Sequence, residues 1–131
     1  MPHAEGTFQV TSWDENTYQE LGDGAKLTRA SIKQDYSGDL DAKARWDAVM
    51  CYSRDGTAIY AGFSFMEGRL GDREGSFVLR ADGAYDGKEA HSTWSVVPGS
   101  GTGGLDGLSG EGVAVAPHGP NGTFTFDYEL G

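Results

Sequence analysis

Hydrophobic and polar residues alternate with a period of two along most of the chain, and the last strand-length run shows this most plainly. In TFTFDYEL (123–130), Phe124, Phe126, Tyr128 and Leu130 fall on one side, with Thr123, Thr125, Asp127 and Glu129 on the other. Successive side chains of an extended chain point to opposite faces, so this run predicts a strand with one buried face. The same pattern predicts strands at 6–13, 26–38, 44–53, 57–70, 75–85, 90–97 and 110–116. Between them, RDGT (54–57), LGDREG (70–75) and YDGKE (85–89) place Asp and Gly where a hairpin turn needs positive φ. No segment carries a convincing helical period. DENTYQELGDG (14–24) does not alternate and is expected to hold at most a helical turn within a longer loop.

Eight strands joined by short turns imply an antiparallel meander, and closing that sheet on itself removes its exposed edges. The expected fold is therefore all-β: a single domain, residues 1–131, forming an eight-stranded antiparallel up-and-down barrel. A barrel of this size is either filled by side chains or holds one small ligand. Parity on the fourth strand separates Ala58, Tyr60, Gly62, Ser64 and Met66 from Ile59, Ala61, Phe63, Phe65 and Glu67. We assign the first set to the interior. Ile59, Phe63 and Phe65 then form an outer apolar stripe, which a homo-oligomer would bury; the alternative is that the two faces are reversed.

Charge narrows the partners. Twenty acidic residues against ten basic ones give a formal net charge of -10, which repels nucleic-acid phosphates and anionic membranes, so neither is an expected partner. The single cysteine, Cys51, cannot form an internal disulfide and reads as a small buried hydrophobe. The opening MPHAEGTF lacks a basic region followed by an apolar run, and no stretch reaches transmembrane length, so a cytoplasmic location is expected.

The glycine-dense segment 93–112 contains Gly99, Gly101 and Gly104 at the spacing of a dinucleotide fingerprint. That fingerprint needs a helix immediately afterwards to present its amides to the pyrophosphate, and Gly107, Gly110 and Gly112 forbid one. Nor is there a Walker-type lysine, since Gly87-Lys88 is followed by Glu89. A glycine-rich strand pair with bulges and close backbone approaches explains the segment without a ligand.

The same residues carry a resemblance. GSGTGGLDGLSGEG (99–112) is similar to the glycine-rich strand and turn of allene oxide cyclases and plant dirigent proteins. SWDE (12–15), KLTRAS (26–31), YSGDL (36–40), DGTA (55–58), GSFVL (75–79), TWSVVPGSGTGGL (93–105), GEG (110–112) and PHGP (117–120) extend the likeness. Together they resemble a bacterial domain-of-unknown-function family of small allene-oxide-cyclase-like barrels. The resemblance implies that barrel fold and a symmetric oligomer. It also marks two departures: an acidic residue followed by Arg in relatives is replaced by Ser64-Phe65, and a Glu by Asp47.

Candidate chemistry follows from residue type. Asp47, if partly desolvated, is a candidate general acid or base, against the plainer reading of a solvated strand carboxylate. Tyr52 and Tyr60 flank the RDGT turn as candidate proton donors, and Arg29 and Arg54 as stabilisers of developing negative charge. Trp46, Met50, Ser64, Met66, Trp94 and His118 are the candidate ligand-binding wall. His3, His91 and His118 are too scattered for a metal site, and NGT (121–123) reads as a turn. No cofactor is expected. Three classes of function remain: a cofactor-free cyclase or isomerase acting on a small, largely apolar metabolite, as the resemblance implies; a non-catalytic small-molecule binder; or a structural barrel with a filled interior.

Overall fold

The structure, a computed structural model, describes residues 2–117 and 121–130. Its strands are β1 (His3–Gly22), β2 (Ala25–Gly38), β3 (Leu40–Tyr52), β4 (Ala58–Leu70), β5 (Arg73–Tyr85), β6 (Ala90–Val96), β7 (Leu108–Ala116) and β8 (Gly122–Leu130). Each pairs antiparallel with the next, and β8 returns to β1, so the sheet closes into a barrel in sequence order. The turns use the predicted chemistry. In the β3–β4 hairpin Gly56 has φ +87°, and the Asp55 carboxylate accepts the Thr57 amide at 3.0 Å. Among the described residues the helical content is a single 3-10 turn, Gly103–Leu105, and no helix is long and apolar enough to cross a membrane.

Segment 14–24 corrects the sequence reading. It is no loop: β1 runs on to Gly22 and pairs with β2 as far as Ala25. Because β8 pairs only with His3–Phe8, the second half of β1 has a single neighbour and forms an arm with almost all its residues exposed. A strand wet on both faces needs no apolar alternation, which is why the pattern is silent there. Register shifts at Val10/Ser12, Thr17/Gln19 and Glu20/Gly22 mark bulges along this arm.

Strand parity elsewhere is as read. On β4, Ala58, Ser64 and Met66 are buried, whereas Ile59, Phe63 and Phe65 are 63%, 59% and 47% exposed. The stripe therefore lies on the outer wall. On β3 the even-numbered residues from Leu40 to Met50 are buried and the odd-numbered ones exposed as far as Val49.

One end of the barrel is packed solid by Leu40, Leu70, Phe77 and Phe126 together with Leu105, which is 0% exposed. The glycine-rich segment delivers that leucine. Its chain lies against the start of β5, where the Thr102 amide donates to the Ser76 carbonyl at 2.9 Å and the Ser76 amide to Thr102 Oγ1 at 3.1 Å. A Cβ on Gly75 would sit 2.0 Å from the Thr102 carbonyl oxygen, and one on Gly101 2.0 Å from that of Leu105. The glycines serve close backbone approach at the closed end.

Candidate functional site

The opposite half of the barrel is hollow. A cavity of about 360 Å³ opens where β3, β5 and β7 end and β4 and β6 begin, at Tyr52, Tyr85, Ala116, Ala58 and Ala90. Small side chains make the room: Ala58, Ala81, Ala90, Ala114 and Ala116 all face it. Larger rings frame it. Tyr36, Trp46 and Trp94 are buried in its wall, while Trp13 and Tyr85 stand half exposed at the mouth. Tyr36 and Trp94 meet edge-on at 5.9 Å between centroids, and Trp46 meets Tyr60 edge-on at 5.2 Å. Such contacts hold the rings in defined orientations.

A carboxylate on the β1 arm organises the rim. Glu15 accepts hydrogen bonds from the Tyr52 hydroxyl at 2.6 Å, the Thr28 hydroxyl at 2.6 Å and Trp13 Nε1 at 2.9 Å. Partial burial pulls its pKa upward, but those donors, with the charge of Lys26, outweigh the burial and hold the carboxyl below its usual range. Tyr52 is pushed the other way, first by burial and then by its bond to the Glu15 carboxylate. It is a proton donor fixed on Glu15, and its phenolate is inaccessible near neutral pH. Tyr60 is also raised by burial, partly offset by Ser92, whose Oγ lies 3.0 Å from its hydroxyl.

Deeper polar groups sit on the β2–β3–β4 wall. Register places Trp46 directly opposite Ser64, with Gln34 one diagonal step away beside Ala44. Gln34 is buried, and its Oε1 accepts the Tyr36 hydroxyl at 3.4 Å. Trp46 Nε1 is sealed from solvent and has no hydrogen-bond partner among the described residues. A buried donor without an acceptor is costly and rare, which singles out this wall.

The structure brings together Trp46, Met50, Tyr52, Tyr60, Ser64 and Trp94 around the cavity. It separates the others. Met66 is 0% exposed, lies one inward step beyond Ser64 towards the packed end, and accepts the Ser64 hydroxyl on its sulfur at 3.4 Å instead of lining the cavity. Asp47 is on the outer wall, 61% exposed and 3.5 Å from Arg45, so it is not desolvated. Arg29 is also outside, with its guanidinium 4.5 Å from the centre of the Tyr18 ring. Arg54 lies at the β3–β4 turn, 3.7 Å from Asp23. Cys51 is half buried and lines an outer groove rather than the core. His118 falls outside the described residues.

Glu15 and Gln34 escape the sequence reading for different reasons. Glu15 lies in the segment that does not alternate, and only the pairing of β1 with β2 and of β2 with β3 carries it to Tyr52, 37 positions away. Gln34 had a signal: it shares parity with Ile32 and Tyr36, so a polar side chain is committed to the interior. The same parity test puts Asp47 and Trp46 on opposite faces.

Comparison with known proteins agrees with this architecture. Among solved structures, the crystal structure of a protein with unknown function from the DUF3224 family of Shewanella oneidensis MR-1 superposes with a TM-score of 0.84. It is 27% identical, over 100% of this chain and 98% of that one. Among curated proteins, none matches the chain. The family model described as "Protein of unknown function (DUF3224)" matches residues 4–128, almost the full length of the barrel, and the chain belongs to that family.

Proposed function

We propose that the protein binds one small, largely apolar molecule inside the barrel. The observation that carries this reading is the cavity of about 360 Å³, walled by alanines and aromatic rings and open at one end. That volume lies at the lower end of the range of about 300–1,000 Å³ typical of small-molecule sites. A closed eight-stranded barrel with an internal pocket also supports the allene-oxide-cyclase-like reading of the fold, though fold alone assigns no activity.

A catalytic reading stands second, favoured by the Glu15–Tyr52 pair at the mouth. The carboxylate and the phenol fixed on it present one oriented hydrogen-bonding unit at the mouth, and a snug apolar cavity would hold a reactive guest in a folded conformation. Cyclisation or isomerisation without a cofactor would draw mostly on that orientation.

The test is a calorimetric and fluorescence titration of the purified protein with the neutral fluorophore N-phenyl-1-naphthylamine, alongside mass spectrometry of whatever co-purifies. Saturable one-to-one binding that quenches Trp46 and Trp94 is the expected result. A guest recovered unchanged after incubation favours binding, and one recovered as an isomer favours catalysis. No saturable binding together with no co-purifying molecule overturns the proposal.

A further inference from the structure

We infer that the cavity selects a neutral guest carrying a hydrogen-bond-acceptor oxygen, such as a ketone on an apolar framework, and rejects carboxylates. This deepens the binding reading above and rests on it.

Two observations lead there. First, no Lys, Arg, His, Asp or Glu is among the described residues lining the cavity. An anion taken inside would surrender its hydration with no counter-charge to meet it. The basic residue at the rim, Lys26, is already placed 5.2 Å over the Tyr52 ring and beside the negative charge of Glu15. A carboxylate seated there would face Glu15 as well, on a chain whose formal net charge is -10.

Second, the wall holds donors that no acceptor among the described residues meets. The indole N–H of Trp46 has no partner, but it is sealed within the wall and out of a guest's reach. Gln34 has its oxygen engaged by Tyr36, and no hydrogen bond among the described residues uses its amide nitrogen. Ser64, opposite Trp46, spends its hydroxyl proton on a thioether, a weak acceptor. The Gln34 amide N–H groups are the donors left for a guest, so the complementary guest brings an acceptor. A cationic guest would find aromatic rings, but Glu15, its natural counter-charge, already accepts three hydrogen bonds and has the charge of Lys26 beside it.

Four naphthalenes of similar size separate the possibilities by calorimetry at pH 7: 2-acetylnaphthalene, 2-ethylnaphthalene, 2-naphthoate and 2-naphthylmethylammonium. The ketone is expected to bind severalfold tighter than the hydrocarbon and at least about tenfold tighter than the carboxylate, whose charge stays unpaired. Gln34→Leu and Gln34→Met, each checked for a folded near-ultraviolet spectrum, should bring the ratio of ketone to hydrocarbon affinity towards one. Carboxylate binding as tight as the ketone, ammonium binding tighter, or a ketone advantage that survives both substitutions overturns the inference and leaves the binding reading standing. If none of the four binds, the inference falls, and the binding reading falls with it only when N-phenyl-1-naphthylamine also fails to bind and no molecule co-purifies.

Discussion

The packed and hollow halves of the barrel are made from the same strands, and only side-chain volume tells them apart. At the closed end Leu40, Leu70, Phe77, Leu105 and Phe126 meet across the axis, each at most 2% exposed. Towards the mouth, equivalent inward positions on β5 and β7 carry Ala81 and Ala114. A sheet of fixed radius is filled by Phe and left open by Ala, because protein interiors tolerate few voids larger than a water unless the wall itself cannot reach across. The lesson is a division of labour along one axis: the closed half stabilises the fold and the open half is free to hold a guest.

The largest expected effect comes from emptying the packed half. Phe126 is 0% exposed and stacks on Phe77 and Tyr128. Phe126→Ala should cost about 3–5 kcal/mol, read as a lowered midpoint in urea, because the cavity left behind adds to the lost transfer energy. A loss below about 1 kcal/mol would mean that the two halves do not differ in what they contribute to stability. Filling the hollow half is the converse experiment. Ala114→Leu projects a larger side chain into the cavity and should change stability by less than about 1.5 kcal/mol, since space already exists there. The same variant should weaken N-phenyl-1-naphthylamine binding at least about tenfold, equivalent to some 1.4 kcal/mol. Strong destabilisation with unaltered binding would place the guest elsewhere.

The smallest effects concern pH, and they have opposite signs at the two ends. At the mouth, Glu15 has a folded-state pKa below its ordinary 4.5. Its hydrogen bonds therefore add stability above that value, and the contribution disappears as pH falls through the depressed pKa. At the closed end, His3 bonds to Asp127 at 2.7 Å and to Glu5 at 3.4 Å, which lifts it above its ordinary 6.5. That contribution is complete below 6.5 and disappears as pH rises through the raised value. Denaturation midpoints measured across pH should show Glu15→Gln flattening the acid side and His3→Phe flattening the neutral side. The His3 effect should be the weaker and should shrink with added salt, because the ion pair is exposed. A His3 variant that alters the acid side would contradict this assignment.

Much of the container is legible in the sequence. Period-two alternation locates β2 to β8 to within a few residues, Asp-Gly turns separate the central strands, and parity on β4 sorts inner Ser64 from outer Phe63 correctly. The absence of a helix after the glycine cluster rules out the phosphate loop, and the structure shows those glycines bringing Leu105 into the closed end instead. Of the residues named from the sequence, the proton-donor candidates Tyr52 and Tyr60 and the wall candidates Trp46 and Trp94 line the cavity, because large rings at inward parity have nowhere else to go. Asp47 and Arg29 were attractive for their chemistry alone and lie on the wrong face for a cavity role.

By itself, then, the sequence determines the strands from β2 to β8, their faces and their order, since alternation and turn chemistry act over a few neighbouring residues. Tertiary structure alone decides where the barrel is empty and which polar groups meet. Emptiness depends on the summed volume of side chains from many strands, and the union of Glu15 with Thr28 and Tyr52 depends on the register in which β1, β2 and β3 pair. Neither property exists in any local stretch of chain, because each arises from residues far apart in sequence converging on one axis.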